Sequence, residues 1–577
     1  MSVSNPSLAR SAFLAALGFW FVVAACSTGG RSTTLAGSDP NLAVEADRSD
    51  ETLRLAYLAQ VDSVRVLAAT VASANGAAPA REAALARLIA GEPDESWIND
   101  DVRELARDLF GDLSAETGER LLAGVAAGHP LLSTLQAAQA RSLVIQGEFD
   151  EAATMAQAAL EARAAGADRD IAQAIVAGAP VPGLPVARLG LLLPLSGSPS
   201  LQRFSEGVRE GVEAAVHASS LGDDGVVLEV ADDGGDAELS RSLMRMLESE
   251  GALAVVGPLD VVSLNAALQG RSRGLPLVSP TVWSLPANEA AVLSLGADDR
   301  QGAALLASWA ASVGLDSVIV LAPSEGPGSL EAGFFAEAFV PAGGTVLRRL
   351  TYEPGTAFFR EQMETIRALQ PAAVVLPIPA SDVPALASQA AFFALDTLGI
   401  QLLGTAGWAD PVVLAEVSTR FTDGVVVAAP VQPADDAGYQ QFRQAYEARF
   451  QRTLVDAGPA ALGYDAASLI LRALERGVRT PAAVAKALET GIEFEGATGI
   501  WSVDQDRATR SHEIVCMAAA QRLVMEPGER PVPIYRPYEP DPETDSIPEG
   551  PGHMMGLVCP SLAQPDTLAA TDTLPTF

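Results

Sequence analysis

Short apolar runs alternate with amphipathic stretches of helical period through the second half of the chain. Helical periodicity is clearest over Ala237–Glu248, Gln301–Ser312 and Val383–Phe393. The apolar runs, interpreted as strands, are Leu189–Leu193, Val226–Val230, Ala252–Val256, Leu275–Val278, Ser317–Leu321, Thr345–Leu347, Ala373–Leu376, Gln401–Leu403 and Gly424–Ala428. This alternation predicts parallel sheets with helices on both faces, and roughly 340 residues of it suit two lobes better than one.

A different pattern precedes these units. From Glu51 to about Val176 the sequence is rich in Ala and Leu at helical spacing, which predicts an all-α domain over residues 51–176. Within it, Ala140 and Leu143 lead to the turn segment Gly147–Ala152, which is followed by Ala156, Ala159 and Leu160. This resembles a tetratricopeptide repeat, in which small side chains let two helices cross closely. One good copy is present, so a general helical hairpin stays open as the alternative. The Pro/Gly-rich stretch Ala177–Pro185 predicts a linker.

The N-terminus has the pattern of an export signal. Arg10 precedes an apolar run, Ala12–Ala25, that is short for a membrane span and ends in small residues directly before Cys26. This resembles the lipobox of bacterial lipoproteins, which implies a signal peptide over residues 1–26, lipidation of Cys26 and a cell-envelope location facing the periplasm. Ser27 after the cysteine implies sorting to the outer membrane. An ordinary signal peptide with a chance cysteine is the alternative.

Two further segments predict little regular structure. Residues 27–50 are rich in Ser, Thr, Gly and Asp and are expected to form a flexible tether. Residues 526–577 are Pro-rich and acidic, and we expect most of this tail to be disordered. Cys516 and Cys559 remain as an even pair in an oxidising compartment, so a disulfide between them is expected, with two free thiols as the alternative.

The charge of the chain excludes two classes of partner. Lys and Arg total 38 against 72 Asp and Glu, a net charge of -34. Such a surface repels nucleic acid and anionic lipid headgroups. The excess is otherwise interpreted as an aid to solubility or an adaptation to a salty habitat.

An ordered series of motifs in the second half resembles the type I periplasmic binding proteins, the Leu/Ile/Val-binding family. The resemblance covers about Val186 to Val524 and implies two lobes joined by a hinge, with a ligand held in the cleft between them. It is carried by Leu189–Gly197, Asp232-Asp233, Val255–Pro258, Leu277–Pro280, Ala297–Gly302, Gly463–Ala466 and Phe494–Gly499. The predicted fold class is therefore α/β, a two-lobed type I periplasmic-binding fold over residues 186–525, preceded by the tetratricopeptide-like domain.

The resemblance also implies where an amino-acid ligand would be held. The family positions for two hydroxyl residues and one acidic residue fall at Val261, Trp283 and Ala406, none of which carries the required group. A shifted register would bring Ser263 or Thr281 to the first hydroxyl position, but the partner of the ammonium would still be missing. A desolvated ammonium without a partner costs several kcal/mol, which argues against free leucine as the ligand. The candidate ligand-binding residues lie at the strand ends and are Ser196, Asp260, Ser263, Thr281, Trp283, Glu325, Ser381, Asp382 and Trp408. The two Trp rings could stack on a flat or sugar-like ligand or simply close the lobe interface.

The sequence favours a binding protein over an enzyme. The four His residues are far apart and none has metal-ligand spacing, so no metal or other cofactor is expected. Gly326-Pro327-Gly328 lacks the Lys-Ser/Thr of a phosphate loop, and no Gly-x-Ser-x-Gly elbow lies near a His.

Two functional classes stay open. The first is a lipid-anchored receptor that captures a small molecule, such as an amino acid or a cell-wall fragment, by hinge closure for an ABC permease or a sensor. The second is a regulator of a peptidoglycan synthase, because a lipobox, a tetratricopeptide-like domain and a type I binding domain together resemble the lipoprotein activators of penicillin-binding proteins.

Overall fold

The computed structural model describes residues 100–538 and 550–560, apart from 112, 273, 287–288, 297–299, 433–435, 456, 490 and 505–506. The predicted signal peptide, Cys26, the tether and residues 51–99 of the helical domain lie outside the described residues. None of the described helices is long and apolar enough to span a membrane.

The chain divides into two compact units, residues 1–138 and 139–577. The division falls inside a helix rather than at the predicted linker 177–185. In the first unit, Leu105, Leu109, Phe110 and Leu135 form a small buried core. The helices described up to the linker are α1 (Asp100–Gly111), α2 (Ala115–Leu122), α3 (Leu132–Ile145), α4 (Phe149–Glu161) and α5 (Gly166–Ala177).

The turn at Gly147 joins α3 to α4, the two helices that the small-residue pattern concerns, and α4 packs in turn against α5. Ala152, Ala156 and Ala159 are fully buried, since short side chains allow the close approach of neighbouring helices. The turn before α4 uses Gly147 with φ +77°, a conformation that favours glycine. The second unit thus begins with helices and not with the first strand.

The first lobe is built on a five-stranded parallel sheet with the order β2-β1-β3-β4-β5. Its strands are β1 (Ala187–Leu193), β2 (Val226–Asp232), β3 (Ala254–Val256), β4 (Leu277–Ser279) and β5 (Val292–Ser294). Helices pack on both faces because β1 is apolar on both sides. They are α6 (Pro199–Ala218), α7 (Gly222–Gly225), α8 (Ala237–Ser249), α9 (Val261–Gly270) and, later in the chain, α16 (Ala437–Phe450), α17 (Ala457–Glu475) and α18 (Pro481–Glu489).

The second lobe is built on a seven-stranded sheet with the order β15-β14-β10-β9-β8-β6-β7. Strands β6 to β10 are parallel, whereas β14 and β15 are antiparallel to their neighbours. The strands are β6 (Ser317–Pro323), β7 (Thr345–Tyr352), β8 (Ala373–Leu376), β9 (Gln401–Gly404), β10 (Val426–Pro430), β14 (His512–Ala518) and β15 (Gln521–Val524). The helices are α10 (Arg300–Ser312), α11 (Pro327–Phe339), α12 (Arg360–Leu369), α13 (Val383–Phe392), α14 (Pro411–Glu416) and α15 (Thr419–Thr422), with 3-10 turns at Ala380–Asp382, Asp396–Leu398 and Ala406–Ala409.

The chain passes between the lobes three times, after β5, after β10 and after a small sheet of β11 (Ile492–Gly496), β12 (Gly499–Asp504) and β13 (Arg507–Arg510). A two-lobed arrangement with several connecting segments is the geometry of hinge closure. The predicted alternation of strands and helices in two lobes is confirmed.

Part of the C-terminal segment, which was expected to be mostly disordered, forms regular structure. Strands β16 (Val532–Arg536) and β17 (His553–Val558) form an antiparallel pair. Directly after β17, Cys559 is joined to Cys516 of β14 by a disulfide. The composition of the segment suggested disorder because composition carries no information about the pairing of β16 with β17 or about the disulfide to the second lobe.

We expect the Cys516→Ala/Cys559→Ala variant to be less stable than the wild type by about 3 kcal/mol, because the disulfide restricts the unfolded chain. The two cysteines are 43 residues apart. Urea unfolding with and without a reductant measures the difference. A reductant should destabilise the wild type and leave the double variant unchanged; equal effects on both would contradict the expectation.

Candidate functional site

A cavity of about 260 Å³ lies between the lobes, and we call it the cleft cavity. The first lobe and the small sheet contribute Pro280, Thr281, Trp283, Leu295, Gly296, Leu462, Trp501 and Arg510. The second lobe contributes Pro327, Leu330, Glu331, Phe334 and Ala406. Most of the lining residues are apolar, and polar groups lie among them, as is usual for small-molecule sites.

One face of α11 forms the second-lobe wall. Pro327, Leu330, Glu331 and Phe334 follow the spacing that places residues on the same side of a helix. The first turn of α11 is held close to the loop after β8, because a Cβ at Gly328 would lie 2.0 Å from the carbonyl oxygen of Pro377. Gly328 therefore allows α11 to lie close to this loop, and we do not interpret the Gly326-Pro327-Gly328 segment as a phosphate-binding loop.

The first-lobe wall depends on a fully buried carboxylate, Asp465 of α17. It accepts hydrogen bonds from the backbone N–H of Ala497 (2.6 Å) and Thr498 (2.9 Å), the Thr498 hydroxyl (2.6 Å) and Trp501 Nε1 (3.2 Å). Burial raises the pKa of Asp465, while these four donors act in the opposite direction. This contact explains why the Gly463–Ala466 and Phe494–Gly499 motifs occur together: one supplies the acceptor and the other lies beside it and supplies donors.

Asp465 also sets the position of Trp501 beside the cleft cavity. The Trp501 side chain is almost fully buried and the Arg510 guanidinium lies 5.3 Å from its ring centroid. Such a cation–π contact restrains the arginine next to the cavity. The chain Asp465–Trp501–Arg510 therefore links a buried hydrogen-bond network to a charged group in the lining.

The dimensions and chemistry of the cleft cavity suit a compact ligand. An apolar cavity of about 150 Å³ is enough to bind benzene, so the cleft cavity has room for a single ring or a branched chain with a small polar head. Trp283 and Phe334 offer aromatic surface, and Glu331 and Arg510 offer charges of opposite sign. The lining could thus hold both an apolar body and a polar end.

Two of the nine predicted ligand-binding residues, Thr281 and Trp283, line the cleft cavity. The Thr281 hydroxyl donates a hydrogen bond to the carbonyl oxygen of Leu259 (2.7 Å), so its oxygen is left to a ligand as an acceptor. Of the three positions implied by the family resemblance, Trp283 and Ala406 line the cavity, whereas Val261 does not belong to its lining.

Three other predicted residues in the first lobe have roles in local structure. Asp260 caps α9 by accepting from the N–H groups of Val262 and Ser263 (2.9 Å each), and the Ser263 side chain is buried. The N–H of Ser196 donates to Asp232 Oδ1 (3.0 Å). None of the three predicted residues lines the cleft cavity.

The Asp232-Asp233 motif of the sequence orders the loop after β1. Asp232 Oδ1 accepts from Leu195, Ser196 and Gly234. Although burial raises the pKa of Asp232, hydrogen bonds from Ser196 and the backbone outweigh it and leave the pKa lowered. The motif is therefore a loop organiser rather than a ligand-binding pair.

The predicted residues of the second lobe also lie outside the cavity lining. Glu325 is exposed, and Ser381 donates to Asp382 (3.1 Å), which accepts from the Tyr352 hydroxyl (2.5 Å). Burial, with the Asp382 contact, raises the pKa of Tyr352. The hydrogen bond between Tyr352 and Asp382 joins the end of β7 to the 3-10 turn after β8.

Trp408 corrects the expectation of a stacking platform. It has no exposed surface, and its Nε1 donates to the carbonyl oxygen of Leu376 (3.0 Å) inside the second lobe. Gly404 makes room for it, because a Cβ there would lie 2.5 Å from the indole ring. A large aromatic residue at a strand end can also be part of a hydrophobic core, and Trp408 belongs to the core of the second lobe.

The strand-end pattern did not indicate Glu331, Phe334, Trp501 and Arg510, which supply the charges and two of the three aromatic side chains of the lining. A usable signal existed for the first two, since they share one helix face with Pro327 of the Gly326–Gly328 turn. Trp501 and Arg510 come from the small sheet, whose return to the cleft is not encoded in local spacing. No group of acidic, His or Cys side chains suited to a metal occurs in the described part of the chain.

Two solved structures illustrate what this chain is similar to. A crystal structure of a putative branched-chain amino acid ABC transporter from Rhodospirillum rubrum is similar with a TM-score of 0.51 and 23% identity, covering 59% of this chain and all (100%) of that one, which shows the fold. A leucine-binding protein from Thermotoga maritima is similar with a TM-score of 0.47 and 22% identity, covering 59% of this chain and 98% of that one.

A search among curated proteins finds no significant match. The sequence profile of the periplasmic binding protein family matches residues 186–522. This span covers both lobes and the small sheet and amounts to more than half of the chain. The protein is therefore a member of the periplasmic binding protein family.

Proposed function

We propose that the protein captures a small solute in the cleft cavity by lobe closure, without catalysis, and presents it to an ABC permease or a sensor. The observation that carries the proposal is that both lobes contribute side chains to one cavity of about 260 Å³. A ligand shifts an open–closed equilibrium only as far as it contacts the closed state better. Residues such as Trp283 and Phe334, on opposite walls, meet that requirement.

The ligand suggested by the lining is a small zwitterion with an apolar body, such as an amino acid with a branched or aromatic side chain. Glu331 supplies a second-lobe carboxylate for an ammonium, a role that the family resemblance placed at Ala406. Arg510 supplies a guanidinium for a carboxylate. Under this assignment an ammonium in the cleft cavity would face the Glu331 carboxylate.

The location proposed for this function is the cell envelope. Family membership supports a periplasmic site of action. The lipobox-like sequence before Cys26 supports a lipid anchor, and Ser27 supports the outer membrane. Metabolic labelling with a fatty-acid analogue, compared between the wild type and Cys26→Ser, tests the anchor.

We expect calorimetry with leucine, phenylalanine and their deamino analogues to show binding that is weakened about tenfold or more in Trp283→Ala. Glu331→Gln should weaken binding of the amino acids and leave the deamino acids unaffected, because only the former carry an ammonium. Glu325→Gln is the matched control, since Glu325 is exposed and outside the cavity lining. Absence of binding by the whole panel, or equal affinities in all variants, would contradict the proposal.

A second function, regulation of a peptidoglycan synthase, is favoured by one observation. The N-terminal end of α4 contacts α18 and the turn before it, because Glu148 pairs with Lys486 (2.9 Å) and Arg476 lies 3.9 Å from the ring centroid of Phe149. A helical surface that lies against the binding domain suits protein recognition. Retention of a penicillin-binding protein by the immobilised chain, lost when Glu148 and Phe149 are replaced, would support this function over solute capture.

A further inference from the structure

An arginine covers one face of an aromatic side chain that lines the cleft cavity. The guanidinium carbon of Arg300 lies 3.9 Å from the ring centroid of Phe334, over the face of the ring. Phe334 is part of the cavity lining, whereas Arg300 is not. The guanidinium therefore contacts the ring without belonging to the lining itself.

A second contact orients the Arg300 side chain. Its Nη1 lies 3.4 Å from Oε2 of Glu337. Phe334 and Glu337 are three residues apart on α11, which places them on the same side of that helix. Because Arg300 is half-exposed, this ion pair contributes little to stability, but it limits the positions that the guanidinium can take beside the ring.

The contact also gives a role to one of the sequence motifs that carry the family resemblance. Arg300 belongs to the Ala297–Gly302 motif and is the first residue of α10. This helix follows the first passage of the chain from one lobe to the other. The cation–π contact therefore joins the start of the second lobe to the wall of the cleft cavity.

A restrained ring changes which ligands the cleft cavity favours. The attraction between a cation and a ring face is lost when the ring turns away, so the guanidinium holds Phe334 in one orientation. A wall that is already fixed loses less conformational freedom when a ligand binds. Trp283 offers a second flat surface from the first lobe. An aromatic ligand gains more from such walls than a branched one, because pairs of rings attract beyond the area that they bury.

We propose that Arg300 is a positioning residue that fixes the Phe334 ring as a flat wall, so that the cleft cavity prefers a solute with an aromatic body to one with a branched aliphatic body. This inference rests on the proposed solute capture and narrows its ligand class. Arg300 acts through Phe334 and not by contact with the ligand.

Calorimetry with phenylalanine and leucine tests the proposal in a double-mutant cycle. We expect Arg300→Gln to weaken phenylalanine binding about two- to fivefold, the size of an exposed cation–π contact, and to change leucine binding by less than about twofold. In the Phe334→Leu background the same substitution should have no effect, because the guanidinium has no ring to hold. Arg300→Lys keeps a cation beside the ring and should restore part of the loss.

Arg360→Gln is the matched control, because Arg360 of α12 is an exposed arginine of the same lobe that pairs with Glu364 (3.7 Å) and lies outside the cavity lining. Unfolding midpoints equal to that of the wild type show that the variants are folded. Equal weakening for both amino acids, or an undiminished effect in the Phe334→Leu background, would overturn this proposal and leave solute capture intact. A wild type that binds neither amino acid would overturn both.

Discussion

We expect Asp465→Ala to lower the free energy of unfolding by about 4 kcal/mol, more than any other single substitution that we propose. The carboxylate accepts four hydrogen bonds in a fully buried position. Each buried donor left without a partner costs roughly 1–3 kcal/mol, and the costs overlap because Ala497 and Thr498 share one loop. Asp465→Asn should lose less, since it keeps one acceptor oxygen but turns an amide toward the donors.

Urea unfolding followed by fluorescence and by circular dichroism measures the loss. Asp223→Ala is the control: Asp223 is an exposed carboxylate that contacts only the His217 ring among the described polar contacts, and its loss should stay within about 0.5 kcal/mol. The indole of Trp501 should report the same event through its emission, because its Nε1 donor loses its acceptor. Equal stability of the two alanine variants would show that the buried network contributes little.

The second large effect is expected at the crossing of α6 and α17. Alanine in place of a helical glycine ordinarily stabilises by about 0.5–1 kcal/mol, because it reduces the entropy of the unfolded chain. At Gly463 alanine should instead destabilise the protein, because a Cβ would lie 2.1 Å from the carbonyl oxygen of Val208. The backbone of α6 cannot move aside as a flexible side chain can. We therefore expect Gly463→Ala to lower the free energy of unfolding by about 3 kcal/mol.

Gly333 of α11 provides the matched control within the same fold. It lies inside a helix, and a Cβ there would meet no neighbouring atom within 4 Å. Gly333→Ala should therefore stabilise the protein by about 0.5–1 kcal/mol. Thermal unfolding of the two variants side by side tests the pair, and a stabilised Gly463→Ala would contradict the close crossing.

Much of the fold could be predicted from local patterns, because a strand covered on both faces has to be apolar along its length. The run Leu189–Leu193 lies inside β1, and Ala373–Leu376 coincides with β8. Strand β5 was missed because it is only three residues long and follows an irregular segment. The antiparallel β14 was missed because it reaches the second lobe from the small sheet, a connection that no local period encodes.

The candidate site was less predictable, for a reason visible at single residues. Asp260 and Trp408 both follow parallel strands, where ligand-binding side chains are usual, yet one caps a helix and the other fills a core. Arg510 follows no such strand and still lines the cleft cavity. Strand ends indicate the correct edge of a sheet, but the direction of each side chain depends on what packs around it.

The sequence by itself determined the two-lobed α/β architecture of this protein and the helical region before it. These features follow from the hydrophobic periodicity and the turn residues of short segments, which can be recognised from neighbouring positions in the sequence. Only the tertiary structure decided that Glu331 and Arg510 share a cavity and that Trp408 is buried. Such facts depend on contacts between segments far apart in the chain, and local patterns carry no information about which distant side chains will meet.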